Sequence, residues 1–431
     1  AAIALFLFLS ILPTQGQTNV VTGTAYGTNY TALATNNAIS SVADGKGSLT
    51  IGYTGTTNLA LKHDISGFVV VTNQTADFSI EAINASVTSS GGTALTVINA
   101  TNLSLTGGSY VGAVDTGGDD FPPIPGVDGT ASYGGLLLNS TATIDGSEFE
   151  GAAGYAGLVV ESSELDVTDG TFIGGDGASG LFASNSVVTI NNGSFTGFVG
   201  MGVQTSELVV NDGIFSGGDG GAGLLAAHNS VVTIYDGSFS GGDNAEGLYT
   251  STSDVTVEGG TFIGGTNAAA LYARKSDLTI NGGTFTGGKN DAALYARNSD
   301  LTINGGTFQG GSFETNSYFG LVSIADAAQT NDITLNGGTF NSIDFAGSGV
   351  QILTAGAGLQ VDGDMVLDGG TLIVDNASSS AFQNLWIRSG DMQLNDYTLS
   401  SDGTLKFLII TNSYGSLTAD TASFESNATV D

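Results

Sequence analysis

The chain of 431 residues contains no cysteine, four prolines, two histidines and only eight lysine or arginine residues. Without cysteine it has neither a disulfide framework nor a thiolate metal site, and His63 and His228 are too few for a histidine-based zinc site. The 41 acidic residues outnumber the basic ones and give a formal net charge of −33. Such a charge repels nucleic acid and anionic membrane surfaces, so we expect neither as a partner.

Glycine and apolar residues are abundant instead. Glycine occupies 67 positions, and the hydrophobic fraction of 41% is too high for a disordered chain. The run Ala1 to Leu12 is apolar, and its length fits the core of a secretory signal but not the roughly 20 residues of a membrane helix. We therefore predict a truncated secretory signal at 1–16, an extracellular or cell-surface location, and no membrane span in this chain.

An internal repeat organises the middle of the chain. Its marker is an aromatic residue in a Gly-x-Phe-x-Gly motif that recurs about every 23 residues. A longer interval leads to Phe340, and Tyr110 precedes the series as an earlier repeat. The regular markers are Phe149, Phe172, Phe195, Phe215, Phe239, Phe262, Phe285 and Phe308.

Each repeat predicts three short strands. Apolar residues seven and five positions before the Phe, with threonine between them as in Leu278-Thr279-Ile280, predict a strand with one buried face. An earlier strand carries a second predicted inward column, which reads Leu158, Leu181, Met201, Leu225, Leu248, Leu271 and Leu294. The Phe lies on the remaining strand, and paired glycines such as Gly287-Gly288 follow it, where we expect them to supply the positive φ of a tight corner.

A serine stands nine positions before every regular Phe. We predict that these serines form a corner ladder, in which hydroxyl groups satisfy backbone groups of neighbouring coils. Asparagine often precedes the serine. The column comprises Ser140, Ser163, Ser186, Ser206, Ser230, Ser253, Ser276 and Ser299.

The repeat length and the recurring SDLTINGGTFTGG-like block resemble the right-handed parallel β-helix group, the pectin-lyase-like superfamily, over residues 80–370. This resemblance implies an all-β fold: a single right-handed parallel β-helix with about 23 residues per coil and three short strands per coil. The segment 359–372 resembles the passenger stalks of bacterial autotransporters. We predict irregular N-terminal coils and a cap at 17–130, regular coils at 131–345, and altered C-terminal coils at 346–431. Two alternatives stay open for the C-terminal end: an anchor was cut off with the fragment, or the protein is released.

A row of carboxylates, one per coil, is formed by Asp254, Asp277 and Asp300. Lyases and hydrolases of the resembled group use clustered carboxylates, often with Ca²⁺, and oxygen ligands suit that ion, which is the one cofactor the row suggests. The neighbouring arginines could equally neutralise a ladder of like charges. The Asp pair with His-Gly of the galacturonan hydrolases has no match here. We therefore predict no catalytic residue and no enzyme, with a Ca²⁺-dependent polysaccharide lyase or hydrolase as the alternative.

A second row is aromatic. If its strand alternates, Tyr249, Tyr272 and Tyr295 point outward beside Arg274 and Arg297, and we name these five residues the tyrosine strip. Ring faces and guanidinium donors suit a polysaccharide or surface glycan, although aromatic ladders also stabilise strands without a ligand. The prediction is a structural or adhesive protein of the cell surface or extracellular matrix. A further alternative is end-to-end self-association into a filament or stalk, because an uncapped solenoid end exposes strand edges.

Overall fold

Strands account for all the regular secondary structure that a computed structural model describes in this chain. They form a parallel β-solenoid of about 12 turns, with about 23 residues and about three strands per coil. The predicted fold class, a single β-helix of the right-handed type, is confirmed. Contacts divide the chain into two compact units, Ala1–Phe215 and Ser216–Asp431, which are described in turn.

The structure describes residues 77–89, 91–113, 131–313, 319–362 and 364–374, together with short segments between residues 21 and 72, at 316–317 and between residues 384 and 430. The predicted signal at 1–16 lies outside the described residues. The other predicted boundaries, at 130 and 345, stay predictions. Over the described residues, no helix has the length and apolar character that crossing a membrane would require.

The first unit begins with irregular strands and continues as regular coils. Its early strands are Val21–Ala25, Ala34–Thr35, Ala38–Ile39, Gly47–Gly52, Thr57–Leu61, Ile65–Thr72 and Phe78–Thr88. The coils that follow contain Leu95–Ile98, Leu103–Val111, Gly135–Leu138, Thr141–Glu150, Leu158–Glu161, Glu164–Ile173, Leu181–Ser184, Val187–Ile190, Ser194–Gly197, Met201–Gln204, Glu207–Val210 and Ile214–Gly217.

The second unit repeats the same three strands per coil and then changes to longer ones. The regular strands are Leu224–Ala227, Val231–Ile234, Ser238–Ser240, Leu248–Ser251, Asp254–Val257, Thr261–Ile263, Leu271–Arg274, Asp277–Ile280, Thr284–Thr286, Leu294–Arg297, Asp300–Ile303 and Thr307–Gln309. The later strands are Ser312–Phe313, Asn316–Ser317, Leu321–Ala325, Thr330–Phe340, Ile343–Gly347, Val350–Val361, Met365–Val374, Asn384–Leu399, Thr404–Phe407, Ile409–Ile410, Ser413–Tyr414, Ser416–Phe424 and Thr429–Val430.

Stacked phenylalanine rings fill the core of each unit. In the second unit the rings of Phe239, Phe262, Phe285, Phe308 and Phe340 stack with centroids 4.5–4.7 Å apart and nearly parallel planes. The column of the first unit runs from Tyr110 through Phe149, Phe172 and Phe195 to Phe215 with separations of 4.6–5.6 Å. Burying each ring contributes roughly 1.5–3 kcal/mol, and the sum over successive coils stabilises the stack.

The serine column forms the predicted ladder inside the core. The Ser276 hydroxyl accepts the backbone N–H of Ser253, at 3.3 Å, and donates to the carbonyl of Arg274, at 3.1 Å. The same pair of bonds recurs at Ser163 and Ser299. Each hydroxyl thus satisfies one buried backbone donor and one part-buried backbone acceptor. The structural interpretation of the serine column is confirmed.

The predicted inward orientation was wrong for one residue of the second inward column. Leu225 is half-buried on the outer face, whereas Leu224 is fully buried. The reason is an additional residue at the next corner, where both His228 and Asn229 have positive φ values of 56° and 60°. The extra corner residue moves the strand by one position, and a one-residue shift exchanges the two faces of a strand.

The predicted role of the paired glycines was also wrong. Gly265 and Gly288 do not adopt positive φ; that conformation occurs before the Phe strand, as at Gly283, with φ 104°. The paired glycines are needed because the coils approach closely there. A Cβ on Gly288 would lie 1.7 Å from the carbonyl oxygen of Gly265, and a Cβ on Gly265 would lie 1.7 Å from that of Gly242. No side chain fits at that distance.

We expect Gly288→Ala to lower the free energy of unfolding by at least about 1–3 kcal/mol, because the added carbon must displace backbone atoms. Gly202→Ala is the control, since the nearest atoms to its Cβ are side-chain atoms, a ring carbon of Phe182 at 3.2 Å and Ser179 Oγ at 3.7 Å. Thermal unfolding followed by circular dichroism measures both variants. Equal melting temperatures for Gly288→Ala and the unchanged protein would contradict the close approach.

Removal of the Tyr110 hydroxyl should raise the stability of the protein, whereas Gly288→Ala should lower it. The Tyr110 ring is fully buried in the phenylalanine column and its oxygen has no hydrogen-bond partner among the described residues. Burial accordingly raises the pKa of Tyr110. We expect Tyr110→Phe to stabilise the protein by about 1 kcal/mol, because a buried polar atom without a partner is removed. Tyr155→Phe, at a half-buried ring, should change the melting temperature less; a drop in stability for Tyr110→Phe would contradict the assignment.

Candidate functional site

Alternation on the first strand of three coils places the tyrosine strip on the surface. In Leu271–Arg274 the leucine and alanine are buried, while Tyr272 is half-buried and Arg274 is exposed. Leu294–Arg297 repeats this pattern, and Leu248–Ser251 differs in having serine at the arginine position. Parallel pairing aligns Tyr249 with Tyr272 and Tyr272 with Tyr295. The structure therefore brings the five predicted residues together on one face.

The three tyrosine rings stack on one another. Their centroids are 5.4 Å apart between Tyr249 and Tyr272 and 5.0 Å apart between Tyr272 and Tyr295, with planes within 8° of parallel. Parallel rings this close cannot lie edge to edge, so each ring covers part of its neighbour's face. The expectation that sugar rings stack on open tyrosine faces needs correction: a ligand would meet chiefly ring edges and hydroxyl groups.

The hydroxyl groups of Tyr272 and Tyr295 stay protonated. Burial, followed by the neighbouring phenol of Tyr249, raises the pKa of Tyr272. Burial, followed by Tyr272, raises the pKa of Tyr295. Both phenols therefore remain neutral over the physiological range and can donate as well as accept hydrogen bonds.

Arg297 is held in a fixed orientation by a residue that the sequence did not indicate. Its Nε and Nη2 atoms each donate to a carboxylate oxygen of Asp326, both at 3.1 Å. The side chain of Asn298 donates to the same carboxylate at 2.8 Å and accepts the backbone N–H of Asp326 at 2.9 Å. The Arg297 and Asn298 hydrogen bonds lower the pKa of Asp326. Asp326 lies 29 residues further along the chain, so no sequence spacing links it to Arg297.

Arg274 and Lys275 supply positive charge without such a clamp. Arg274 is exposed and forms no ion pair with any residue of the described chain. Lys275 adopts a positive φ of 51° at a corner position where the neighbouring coils carry Thr252 and Asn298, with φ 53° each. Asparagine tolerates this conformation, but lysine gains nothing from it. The same conformation recurs at this corner in each regular coil, as at Ser162 and Thr205, so the geometry of the corner sets it.

Two carboxylates beside the tyrosine strip were also not predicted from the sequence. Glu246 and Asp291 are half-buried and precede the strands that carry Tyr249 and Tyr295. Burial, followed by repulsion from Asp291, raises the pKa of Glu246. Burial raises the pKa of Asp291, and this carboxylate in turn helps to raise the pKa of Tyr295. Their only sequence signal is an acidic residue shortly before a Leu-Tyr pair, which is too weak to single out.

The predicted carboxylate row lies on the next strand of the same coils. Asp254, Asp277 and Asp300 are exposed and in register, and Asp332 extends the row by donating its backbone N–H to Asp300 Oδ1 at 2.8 Å. No group of three or more histidine, aspartate or glutamate side chains in the described part of the chain is arranged to hold a metal ion. The Ca²⁺ site at this row therefore stays a prediction from the sequence pattern alone.

The row has a measurable consequence for stability. Burial, followed by the charges of Asp300 and Asp254, raises the pKa of Asp277. An acid whose pKa is higher in the folded state contributes stability at low pH and loses it as the pH rises through the folded-state pKa. We therefore expect Asp277→Asn to raise the melting temperature at pH 7 and to change it little at a pH below the ordinary pKa of aspartate.

Asp243→Asn, at an exposed carboxylate outside the row, is the control for that experiment. Melting temperatures measured from acidic to neutral pH decide the outcome. If Asp277→Asn and Asp243→Asn behave alike across the range, the row is not a source of repulsion.

Comparison of the chain with family models, curated proteins and solved structures found no match. The resemblance to the pectin-lyase-like superfamily and to autotransporter stalks is thus supported only at the level of the β-solenoid fold.

Proposed function

We propose that this protein is a structural and adhesive β-solenoid, exported to the cell surface or extracellular matrix, that binds a glycan through the tyrosine strip. The supporting observation is the in-register stack of Tyr249, Tyr272 and Tyr295 with Arg274 and Arg297 on the same face. Three of the eight basic residues of the chain, Arg274, Lys275 and Arg297, lie on the strands of this stack or at the corner that follows them. On a body of net charge −33, this is the face where an acidic or neutral polymer meets least repulsion.

The strip has the donors and acceptors for a polymer rich in hydroxyl groups. The tyrosine hydroxyl groups offer a donor and an acceptor in each of three successive coils, and the guanidinium groups add donors beside two of them. Arg297 is already oriented by Asp326, so its ordering on binding costs little entropy. Equal contacts repeated at the coil spacing would engage several units of an extended chain together, which raises the overall affinity.

The export and stalk parts of the proposal rest on the sequence. The apolar run at 1–12 fits a secretory signal, and the segment 359–372 resembles autotransporter passenger stalks. Coils that stack with uniform inner columns repeat the same outward face from one coil to the next, which suits a binding surface. Membership of the pectin-lyase-like superfamily is proposed on the same footing, from coil length and the repeated block.

A polysaccharide-active enzyme is the second candidate function. Its support is the pair of half-buried carboxylates, Glu246 and Asp291, whose raised pKa values suit proton transfer beside the strip. An enzyme would convert the bound polymer, whereas an adhesin would only hold it. End-to-end self-association remains a third proposal, because strand edges at an uncapped end can pair with another copy.

The test is co-sedimentation of the purified protein with a panel of insoluble polysaccharides, with and without Ca²⁺. Binding by the unchanged protein should fall about tenfold or more in Tyr272→Phe/Arg274→Gln, because a hydroxyl and a charged hydrogen-bond donor are lost. Lys289→Gln removes the same charge outside the strip and should bind normally. If the unchanged protein bound none of the polysaccharides, the adhesive proposal would be contradicted.

The same incubations distinguish the alternatives. Ultraviolet absorbance from unsaturated sugar products, dependent on Ca²⁺, would replace the adhesive proposal by the lyase. Reducing ends released without that absorbance would indicate a hydrolase. Sedimentation of the protein in the absence of any polysaccharide would support self-association.

A further inference from the structure

The stacking of coils forces a chemically reactive dipeptide onto the surface. Asn-Gly follows the second strand of two successive coils, at Asn281-Gly282 and Asn304-Gly305. Asn336-Gly337 holds the equivalent place in the next coil, within the long strand Thr330–Phe340. A Cβ on Gly282 would lie 2.6 Å from the carbonyl oxygen of Glu258, and a Cβ on Gly305 would lie 2.6 Å from that of Asn281. At the first two of these positions only glycine fits after the asparagine, although a following glycine makes the asparagine side chain chemically reactive.

The reaction is deamidation, in which the asparagine side chain loses its amide group. The backbone nitrogen of the glycine attacks the side-chain Cγ of the asparagine and forms a C–N bond. The Cγ–Nδ2 bond breaks, the backbone nitrogen gives up its proton, and ammonia leaves. Water then opens the five-membered imide at either carbonyl, which yields aspartate or isoaspartate without any oxidation or reduction. A following glycine favours the attack, because it carries no side chain to hinder it.

A ladder of side-chain hydrogen bonds restrains these asparagines to different degrees. Asn281 Nδ2 donates to Glu258 Oε1 at 2.9 Å, Asn304 Nδ2 donates to Asn281 Oδ1 at 2.7 Å, and Asn336 Nδ2 donates to Asn304 Oδ1 at 2.7 Å. Asn281 and Asn304 therefore each take part in two bonds. Asn336 takes part in one, because its own oxygen has no donor among the described residues.

The chain also contains an Asn-Gly pair without a ladder bond. Asn192-Gly193 is exposed at the corresponding corner of the first unit. The ladder there runs through the preceding residue, Asn191, which donates to Asp166 and accepts from Asn211. The side chain of Asn192 has no hydrogen-bond partner in the described part of the protein. The same dipeptide is thus restrained by no side-chain hydrogen bond at Asn192, by one at Asn336, and by two at Asn304 and Asn281.

We propose that these asparagines are sites of self-catalysed deamidation and that the ladder sets the order in which they react. Cyclisation requires the side chain to rotate until Cγ meets the next backbone nitrogen, and that rotation breaks every ladder bond the amide makes. Asn192 reacts first, Asn336 second, and Asn304 and Asn281 last. Conversion of Asn336 removes the donor to Asn304 Oδ1, so the ladder then opens from that end.

Modification would change both charge and backbone. Each event adds a carboxylate to a chain that already carries a net charge of −33. Isoaspartate also inserts a methylene group into the main chain, at a corner where Gly282 passes close above Glu258. The ladder therefore preserves the stacked coils against a reaction that their own geometry invites.

The test is incubation of the full chain at mildly alkaline pH, followed by proteolysis and mass spectrometry with fragmentation to locate each converted site. Three sites share nearly the same local sequence, Ile-Asn-Gly-Gly or Leu-Asn-Gly-Gly, so intrinsic reactivity is matched. In the folded protein we expect Asn336 to convert several-fold faster than Asn304 and Asn281. In denaturant the three rates should become equal. Equal rates in the folded protein would overturn the proposal.

Variants of the ladder test its direction. Asn336→Ala should accelerate conversion of Asn304 several-fold and leave Asn281 unchanged, and Glu258→Ala should accelerate Asn281. Thr339→Ala, three residues further along the same strand, is the matched control and should alter neither rate. Circular dichroism melts establish that each variant is folded. If Asn336→Ala and Glu258→Ala are folded and both rates are unchanged, the hydrogen bonds do not control the reaction.

Discussion

The structure depends on the close, in-register pairing of each coil with the next. Backbone hydrogen bonds bring successive coils to the spacing of neighbouring strands, about 4.8 Å, and every inner and outer column inherits that spacing. Phenylalanine rings stack at 4.5–4.7 Å in the second unit because the backbone places them so, and they exclude water from the bonds that hold them. The serine hydroxyls then satisfy the backbone groups at the corners where strand pairing is interrupted.

The same spacing explains features that serve no purpose in a single coil. Gly288 is required because the coil beneath it passes within contact distance of its α-carbon. Burial, and then the identical residues that repeat in the neighbouring coils, raise the pKa of Asp277. Tyr272 is sandwiched between equivalent rings, so its two ring faces are covered by Tyr249 and Tyr295. In a repeat protein a residue is therefore understood from the column it belongs to.

The sequence predicted the columns well because their period is local and strongly patterned. Phe285, Ile280 and Ser276 recur at fixed positions, and alternation alone decides which face each occupies. It failed at Leu225, where one additional corner residue inverted the alternation, and at the paired glycines, where the constraint comes from a neighbouring coil. Asp326 could not be found at all, since its contact with Arg297 crosses an irregular insertion. Function is less accessible still, because outward columns can serve the fold or a ligand with the same residues.

Equivalent residues of successive coils should be direct neighbours, and disulfide formation between engineered cysteines measures this. The chain has no cysteine of its own that would interfere. Thr256 and Thr279 are paired in adjacent coils, and Thr302 follows one coil further. A disulfide requires α-carbons about 4.4–6.8 Å apart, which adjacent coils satisfy and alternate coils do not. Under mild oxidation Thr256→Cys/Thr279→Cys should form a disulfide, whereas Thr256→Cys/Thr302→Cys should stay reduced. Equal oxidation of the two pairs, or oxidation of the second alone, would contradict the stacked-coil structure.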